Sequence, residues 1–358
     1  MRIVLFLCLA LLASCTSPNA VRFSNNAEVG NIVPIFVGTT RVPGEAGDFS
    51  SKLASETNYL RYDVSIPPSH TPGNIEWAKR ARPNPETEFA ATAKYTYQND
   101  ASFRGAIQNA MRQRGSKRVY VYVHGYLNTF GDGLYRAAQI SNDFSLDSVV
   151  AHFAWPSAAS PFGYAQDRDA ALTARDSFEE YLRTIKAAGA EEIVIVAHSL
   201  GSALTMEVMR TLAKNDPSEV PRLIKGVLLI APDIDVDLFV SQAEPITQMP
   251  DFFMIFTSAR DRAMQLSSAV AGGKPRLGNI QDLTPIQHLD VLVWDISELN
   301  GIQKSNHLAA FENPETLEFF ELIRANSSIL SVSGTEAAIP NTAVLLLNRS
   351  QAALTPQN

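Results

Sequence analysis

The chain has 358 residues, of which 46% are hydrophobic, and a formal net charge of −7 at pH 7. This length can bury a sizeable core, either as one large α/β domain or as two small domains. The sequence has no basic patch and no interleaving of aromatic with basic residues, which argues against nucleic acid as a partner. The mildly acidic charge bears on solubility rather than on the fold.

Residues 1–14 have the layout of a secretory signal peptide. Arg2 supplies one positive charge, and the run from Ile3 to Ala13 is almost wholly apolar but too short to span a bilayer. The run ends in Leu-Ala-Ser-Cys, which resembles a bacterial lipobox and implies cleavage before Cys15 and lipid on its thiol. Thr16 in place of aspartate then favours the outer membrane of a bacterial envelope over the inner membrane. The alternative is an ordinary signal peptide and a soluble periplasmic or secreted protein.

Strands and helices alternate along most of the remaining chain. Residues 15–28 are small and polar, which predicts a tether, and the proline-rich residues 69–100 predict a loop. Eight strands are predicted, in residues 31–40, 59–67, 118–124, 148–155, 191–198, 224–231, 251–258 and 289–296. Helical spacing of apolar residues separates the last six strands, which predicts a mostly parallel sheet with helices on both faces.

This α/β domain is expected to cover residues 29–326. The C-terminal tail, 327–358, contains an apolar run that is too short for a membrane span. The sequence does not decide between a tail that docks on the domain and a tail that stays loose.

Ser199 stands where a buried strand turns into a helix, in the segment EEIVIVAHSLGSALTMEVM that runs from Glu191 to Met209. A parallel sheet presents its functional groups at the carboxyl ends of its strands. The turn is tight, so Ala197 before the serine and Gly201 after it must be small. This is the G-x-S-x-G nucleophile elbow with alanine at the first glycine, and it is expected to expose the hydroxyl before a helix N-terminus. The alternative is an ordinary strand–helix turn.

A serine hydroxyl needs a base to become a nucleophile, and that base is usually histidine. Among the six histidines, His307 follows the last predicted strand, at the same edge of the sheet as Ser199. It also completes the chain order serine, aspartate, histidine that is typical of such elbows. His198 adjoins the serine but is expected to point away from it, into the packing of the elbow.

Two sites compete for the acid that orients the histidine. Asp261 follows one strand, and Asp233 and Asp235 follow the preceding strand. All three lie between Ser199 and His307 in the chain. Asp261 is preferred because the later strand is the usual position, and Asp235 or Asp233 is the alternative acid. Helix capping or a structural ion pair would account for the acid that is not used.

The oxyanion of an acyl-transfer reaction needs two backbone N–H groups. Leu200, directly after the nucleophile, supplies one. The loop after the strand in residues 118–124 is expected to supply the other, most simply from Tyr126, with Gly125 allowing the backbone to approach.

Several short motifs together resemble the α/β-hydrolase superfamily. Within it, they are similar to a group of bacterial esterase- and lipase-like hydrolases with an HG(F/Y)xNTF loop, a WPS turn and an AHS(L/M)G elbow. In this sequence the motifs are His124 to Phe130, Trp155 to Ser157 and Ala197 to Gly201. The resemblance implies the α/β-hydrolase fold, a covalent acyl-enzyme mechanism, and no cofactor or metal. It implies no particular substrate, because this fold serves many reactions.

The expected function is a serine hydrolase that cleaves carboxylic esters, lipids or thioesters. Its partners would be a small-molecule or lipid ester and the membrane, through the lipid anchor, and the sequence does not tell whether it has protein partners. One alternative is a peptidase or amidase with the same triad. The other is a non-catalytic envelope scaffold that kept the fold for binding.

Overall fold

The computed structural model describes residues 19–24, 29–45, 47–270, 272–297, 306–313, 316 and 344–347. Ten strands of this part form a single sheet: β1 (Asn31–Pro43), β2 (Phe49–Ile66), β3 (Ala90–Tyr97), β4 (Arg118–Val123), β5 (Val149–Ala154), β6 (Glu192–His198), β7 (Gly226–Ile230), β8 (Phe252–Thr257), β9 (Val291–Asp295) and β10 (Val344–Leu347). Their order in the sheet is β10-β9-β8-β7-β6-β4-β5-β1-β2-β3.

The helices of the described part lie mainly between the parallel strands. They are α1 (Asp100–Arg114), α2 (Phe130–Asp143), α3 (Tyr164–Thr173), α4 (Arg175–Ala187), α5 (Leu200–Asn215), α6 (Glu219–Leu223), α7 (Val236–Ala243), α8 (Arg262–Val270) and α9 (Ala309–Glu312). None of the helices in the described residues is long and apolar enough to cross a membrane.

Parallel pairing makes up the middle of the sheet. Strands β1, β5, β4, β6, β7, β8 and β9 run parallel, and β2, β3 and β10 pair antiparallel at the two sides. The residues of β5 and β7 are buried throughout, as expected of strands covered by helices on both faces. Two apolar clusters, one on each face of the sheet, form the core. The expected α/β-hydrolase architecture is therefore confirmed.

The strand order reverses around β4. The chain passes from β4 to β5 on one side and then returns to β6 on the other side of β4. The connection after β4 runs to β5 and the connection after β6 runs to β7, in opposite directions, which opens a crevice at the carboxyl ends of β4 and β6. His124 follows β4 and Ser199 follows β6, so both residues lie at this crevice.

The predicted number of eight strands is wrong, because β3 and β10 were not predicted. β3 follows a stretch rich in proline, and the interpretation of residues 69–100 as loop extended too far along the chain. It pairs with only one other strand, β2, and carries few buried side chains, so its alternation of apolar and polar residues is weak. β10 has four residues and pairs with β9, which places this part of the C-terminal tail on the sheet.

Part of the predicted tether, residues 19–24, packs on the domain instead. Residues 19–24 lie against the domain: the side chain of Val21 is buried, and the Ala91 N–H donates to the Arg22 carbonyl at 2.8 Å. The Ser24 N–H donates in turn to the Ala91 carbonyl at 2.9 Å. The free edge of β3 is thereby hydrogen-bonded at Ala91, near the start of the strand. The predicted signal peptide (1–14), Cys15 and the predicted domain end at 326 lie outside the described residues.

A charged network ties the loop after β2 to α2. The His70 ring lies between two carboxylates, with Nδ1 2.8 Å from Glu76 Oε2 and Nε2 2.8 Å from Asp143 Oδ1. Burial alone would lower the pKa of His70, but its hydrogen bonds to Asp143 and Glu76 outweigh burial and raise the pKa above 6.5. Burial would raise the pKa of Asp143, yet the hydrogen bonds from His70 and Gln139 lower it below 3.8. Both groups are charged between these two pKa values.

Replacing His70 with glutamine is expected to cost about 1–3 kcal/mol of the free energy of unfolding, because hydrogen bonds to charged groups are lost. A histidine with a raised pKa in the folded state stabilises the fold fully below its ordinary pKa of 6.5 and loses this effect as the pH rises through the raised pKa. The cost of His70→Gln should therefore be largest in mildly acidic buffer and shrink in alkaline buffer, as measured by urea unfolding. His288→Gln, at an exposed histidine, is the matched control. A cost that does not change with pH would contradict the charged state of His70.

Candidate active site

Ser199 occupies a strained turn between β6 and α5. Its backbone has φ 52° and ψ −122°, a conformation that costs a non-glycine residue roughly 1–3 kcal/mol. The Ser199 N–H donates to the Ile230 carbonyl at 3.0 Å, and the Ser199 carbonyl accepts from Ser202 N at 3.0 Å. A Cβ atom added to Gly201 would lie 2.5 Å from the His124 carbonyl oxygen, so this position has to be glycine. Strain of this kind is typical of functional sites.

Ser199 as a whole residue is less exposed than the elbow pattern predicts. Ser199 is only 1% exposed, because the loop after β4 lies directly over it. A Cβ atom added to Gly125 would lie 2.6 Å from the Ser199 Cβ. Gly125 thus permits a backbone approach that any larger residue would block, and the same approach covers the serine.

Asp261 and His307 form a close pair at the same edge of the sheet. The His307 Nδ1 lies 2.8 Å from the Asp261 Oδ2. The other carboxylate oxygen, Oδ1, accepts from the backbone N–H groups of Ala263 at 2.9 Å and Met264 at 3.1 Å, in the first turn of α8. Asp261 is fully buried, so both its oxygens are held in place. An Nδ1–H donated to the carboxylate leaves Nε2 of a neutral ring as an acceptor, the form that a general base requires.

The alternative acids have other partners. The Asp233 Oδ1 accepts from Ser267 Oγ at 2.7 Å and lies 3.3 Å from Arg276 Nε. The Asp235 side chain caps the N-terminus of α7 and accepts from the N–H groups of Asp237 and Leu238. These contacts match the structural roles that the sequence leaves open for the acid that is not used.

His198 connects the elbow to the segment that carries His307. Its Nε2 lies 3.2 Å from the His307 carbonyl oxygen, and the two rings are 4.5 Å apart between centroids. Burial, together with the nearby His307, keeps the pKa of His198 well below 6.5. The neutral ring can donate from Nε2, which fixes the backbone of His307. The ring points into packing, as the sequence predicts, but that packing is against the histidine segment.

The two backbone groups expected to bind an oxyanion belong to Leu200, which follows Ser199, and to Tyr126, which follows the Gly125 that packs against Ser199. Leu200 is the first residue of α5, so its N–H has no acceptor within the helix. The Tyr126 carbonyl accepts from Asn128 Nδ2 at 2.8 Å, and the Tyr126 hydroxyl reaches the Pro161 carbonyl at 2.8 Å. These contacts fix the loop from the inside and join it to the segment after β5.

Two buried charged residues brace the loop after β4, and the sequence does not distinguish either of them as functional. Arg41, at the end of β1, donates to the Asn128 carbonyl at 2.8 Å and to the Ser157 carbonyl at 3.3 Å. Burial lowers the pKa of Arg41 to about 10, and the charges of Asp48 and Asp167 oppose this effect. Because a guanidinium with this pKa stays charged at neutral pH, the loop is held by a permanent cation.

Asp167 braces the other side of the loop. Its carboxylate accepts from Ser157 Oγ at 2.5 Å, Ala158 N at 2.6 Å and Leu127 N at 3.3 Å. The only sequence signal for this role is an acidic residue in the first turn of a helix, which is too common to be noticed. Among the described residues, no group of three or more His, Cys, Asp or Glu side chains could hold a metal ion.

A family profile identifies the chain. The family described as alpha/beta hydrolase of unknown function (DUF900) matches residues 99–325, which is most of the sequence. The chain belongs to this family. The match includes Ser199, Asp261 and His307, and this α/β hydrolase therefore has its elbow and its acid–histidine pair within the family's own region. No curated protein matches this hydrolase.

Solved structures with a related architecture include several hydrolases. Esterase B from Lactobacillus rhamnosis has 11% identity, with 92% of this chain and 96% of that chain covered at a TM-score of 0.42. An esterase from Pyrobaculum calidifontis has 12% identity, with 85% and 87% covered at a TM-score of 0.40. A predicted CIB-like hydrolase from Thermoplasma acidophilum has 14% identity, with 84% and 99% covered at a TM-score of 0.37. Similarity at this level does not indicate a substrate.

Proposed function

We propose that this α/β hydrolase is a serine hydrolase that cleaves carboxylic esters, lipids or thioesters through an acyl-enzyme intermediate. The observation that carries the proposal is the 2.8 Å contact between the buried Asp261 carboxylate and His307, at the edge of the sheet where Ser199 occupies a strained elbow. A scaffold kept only for binding would have no need of a strained serine at the same edge of the sheet as an oriented histidine.

In the proposed reaction, Ser199 Oγ attacks the carbonyl carbon while His307 Nε2 takes its proton. The N–H groups of Tyr126 and Leu200 stabilise the oxyanion of the tetrahedral intermediate. The C–O or C–S bond breaks, His307 returns the proton to the leaving alcohol or thiol, and the acyl group stays on Ser199. A water molecule, activated by His307, then releases the acid. Asp261 keeps the histidine in the correct tautomer and stabilises its charged form.

We also propose that the chain is attached to the bacterial envelope through lipid on Cys15, with the outer membrane as the favoured location. Support for this comes from the lipobox-like sequence alone. A lipid anchor would place the enzyme near lipid esters.

A fluorophosphonate probe tests the proposed nucleophile, because it reacts only with an activated serine. The chain without its signal peptide should form a covalent adduct, and peptide mapping should place the adduct on Ser199. The Ser199→Ala variant should form none. A panel of ester, thioester and amide substrates, run on the same preparation, then separates an esterase from a peptidase or amidase. A well-folded protein that does not react would instead favour the binding scaffold.

A further inference from the structure

The described chain begins on the edge of the sheet that carries Ser199. The Asn19 side-chain amide donates to Asp132 Oδ1 at 2.8 Å, and the Asn19 carbonyl accepts from Thr129 Oγ1 at 3.2 Å. Thr129 caps the N-terminus of α2, the helix that directly follows the loop with Tyr126. Asn19 is therefore attached at Thr129, three positions after Tyr126, the proposed oxyanion donor.

This attachment limits the distance between the proposed lipid and the active-site edge. Cys15 precedes Asn19 by four residues. Four residues can span at most about 14 Å, even when fully extended. A lipid on Cys15 would then hold this edge of the sheet, and not the opposite edge, close to the membrane surface.

Three large apolar side chains are exposed on segments that hydrogen bonds connect at this same edge. Phe162 is 99% exposed, Leu266 is 66% exposed and Leu127 is 41% exposed. We name these three residues the apolar rim. Single exposed apolar residues are common, but a group on adjoining segments at the edge that carries a candidate active site is typical of an interaction surface.

Two hydroxyl contacts join the segments that carry the apolar rim. The Tyr126 hydroxyl lies 2.8 Å from the Pro161 carbonyl, which connects the loop of Leu127 to the loop of Phe162. The Tyr164 hydroxyl lies 3.2 Å from Ser267 Oγ, which connects that loop to α8 beside Leu266. The three rim residues thus lie on segments that these hydrogen bonds hold together, at the carboxyl edge of the sheet that carries Ser199.

We propose that the apolar rim rests in the bilayer that holds the lipid on Cys15, and that the substrate is a lipid ester of that bilayer. The substrate assignment rests on the proposed serine hydrolase activity, and the orientation rests on the proposed anchor. Apolar side chains at the membrane interface and a lipid anchor only a few residues away bind the same surface together, since each holds the other in place.

Fluorescence quenching tests the orientation without any need for activity. The full lipidated chain with Phe162→Trp is reconstituted into vesicles of phosphatidylethanolamine and phosphatidylglycerol that contain brominated phosphatidylcholine. The wild-type chain has three tryptophans, so its emission is subtracted, and the remaining emission of the added tryptophan should be strongly quenched. Tyr95→Trp, at an exposed aromatic residue on β3 away from this edge, is the matched control and should be quenched little. Equal quenching of the two probes, or a chain without lipid on Cys15 by mass spectrometry, would overturn the orientation.

Activity in the same vesicles tests the substrate class. Phe162→Ser should lower the hydrolysis of lipid esters in the bilayer by roughly tenfold, because a phenyl ring leaves the acyl region. Hydrolysis of a water-soluble short-chain ester should not change, and Tyr95→Ser should change neither rate. A chain that cleaves the soluble ester but no bilayer lipid would overturn the lipid substrate and leave the hydrolase intact. Strong quenching without a fluorophosphonate adduct would reject the hydrolase and leave the orientation intact.

Discussion

Replacing Ser199 with alanine is expected to lower kcat by roughly 10⁶-fold, since the loss of the nucleophile removes the triad as a unit. The fold should persist, because the Ser199 backbone is held by hydrogen bonds to Ile230 and Ser202 that alanine also makes. The measurement is turnover of an ester that the wild-type chain cleaves, with thermal unfolding recorded on the same samples.

Ser202→Ala is the matched control for this change. Ser202 lies three residues further along, and its hydroxyl donates to the Ala197 carbonyl at 3.1 Å inside the elbow. Its loss should cost a little stability and leave most of the turnover. Turnover by Ser199→Ala at the wild-type rate would end the serine mechanism.

Replacing Asp261 with asparagine is expected to lower kcat by roughly 10⁴-fold, by analogy with serine proteases. Asparagine keeps an oxygen that can still cap α8 through the N–H groups of Ala263 and Met264. Its amide would then face the His307 Nδ1 and donate to it, so the ring would carry its proton on Nε2. A histidine protonated there cannot accept the proton of Ser199.

Asp235→Asn separates this effect from the general loss of a carboxylate. Asp235 caps α7 in a similar way, and asparagine is an equally good cap, so turnover should change little. The stability of Asp261→Asn, measured by thermal unfolding, should likewise stay close to that of the wild type. A larger loss of turnover for Asp235→Asn or Asp233→Asn than for Asp261→Asn would show that the acid of the triad follows β7 and not β8.

The sequence predicts best those features that depend on neighbouring residues. The elbow around Ser199 was predicted because a tight turn requires small residues at fixed positions, and the clearance at Gly201 shows this requirement directly. Asp261 and His307 are 46 positions apart, and their proximity was predicted from strand order rather than from any local pattern. The structure brings these two side chains together, while their catalytic roles remain predictions.

Other features depend on partners that are distant in the chain and leave no local sign. Arg41 braces a loop 87 positions away, at Asn128, and nothing around Arg41 distinguishes it from an ordinary residue at a strand end. β3 was missed because its stability comes from pairing with β2 and with residues 22–24, not from its own apolar pattern. The cover over Ser199 was missed for a similar reason, since it depends on how closely the loop after β4 approaches β6.

The backbone of Ser199 bears on the balance between stability and activity in this chain. Glycine adopts positive φ without the cost that serine incurs, so a glycine at this position would favour the folded state. A residue that costs stability at the turn is the kind of compromise between stability and activity that enzymes make at their reacting atoms. Chemistry at Ser199 gives a reason for that compromise, and passive binding by a scaffold does not.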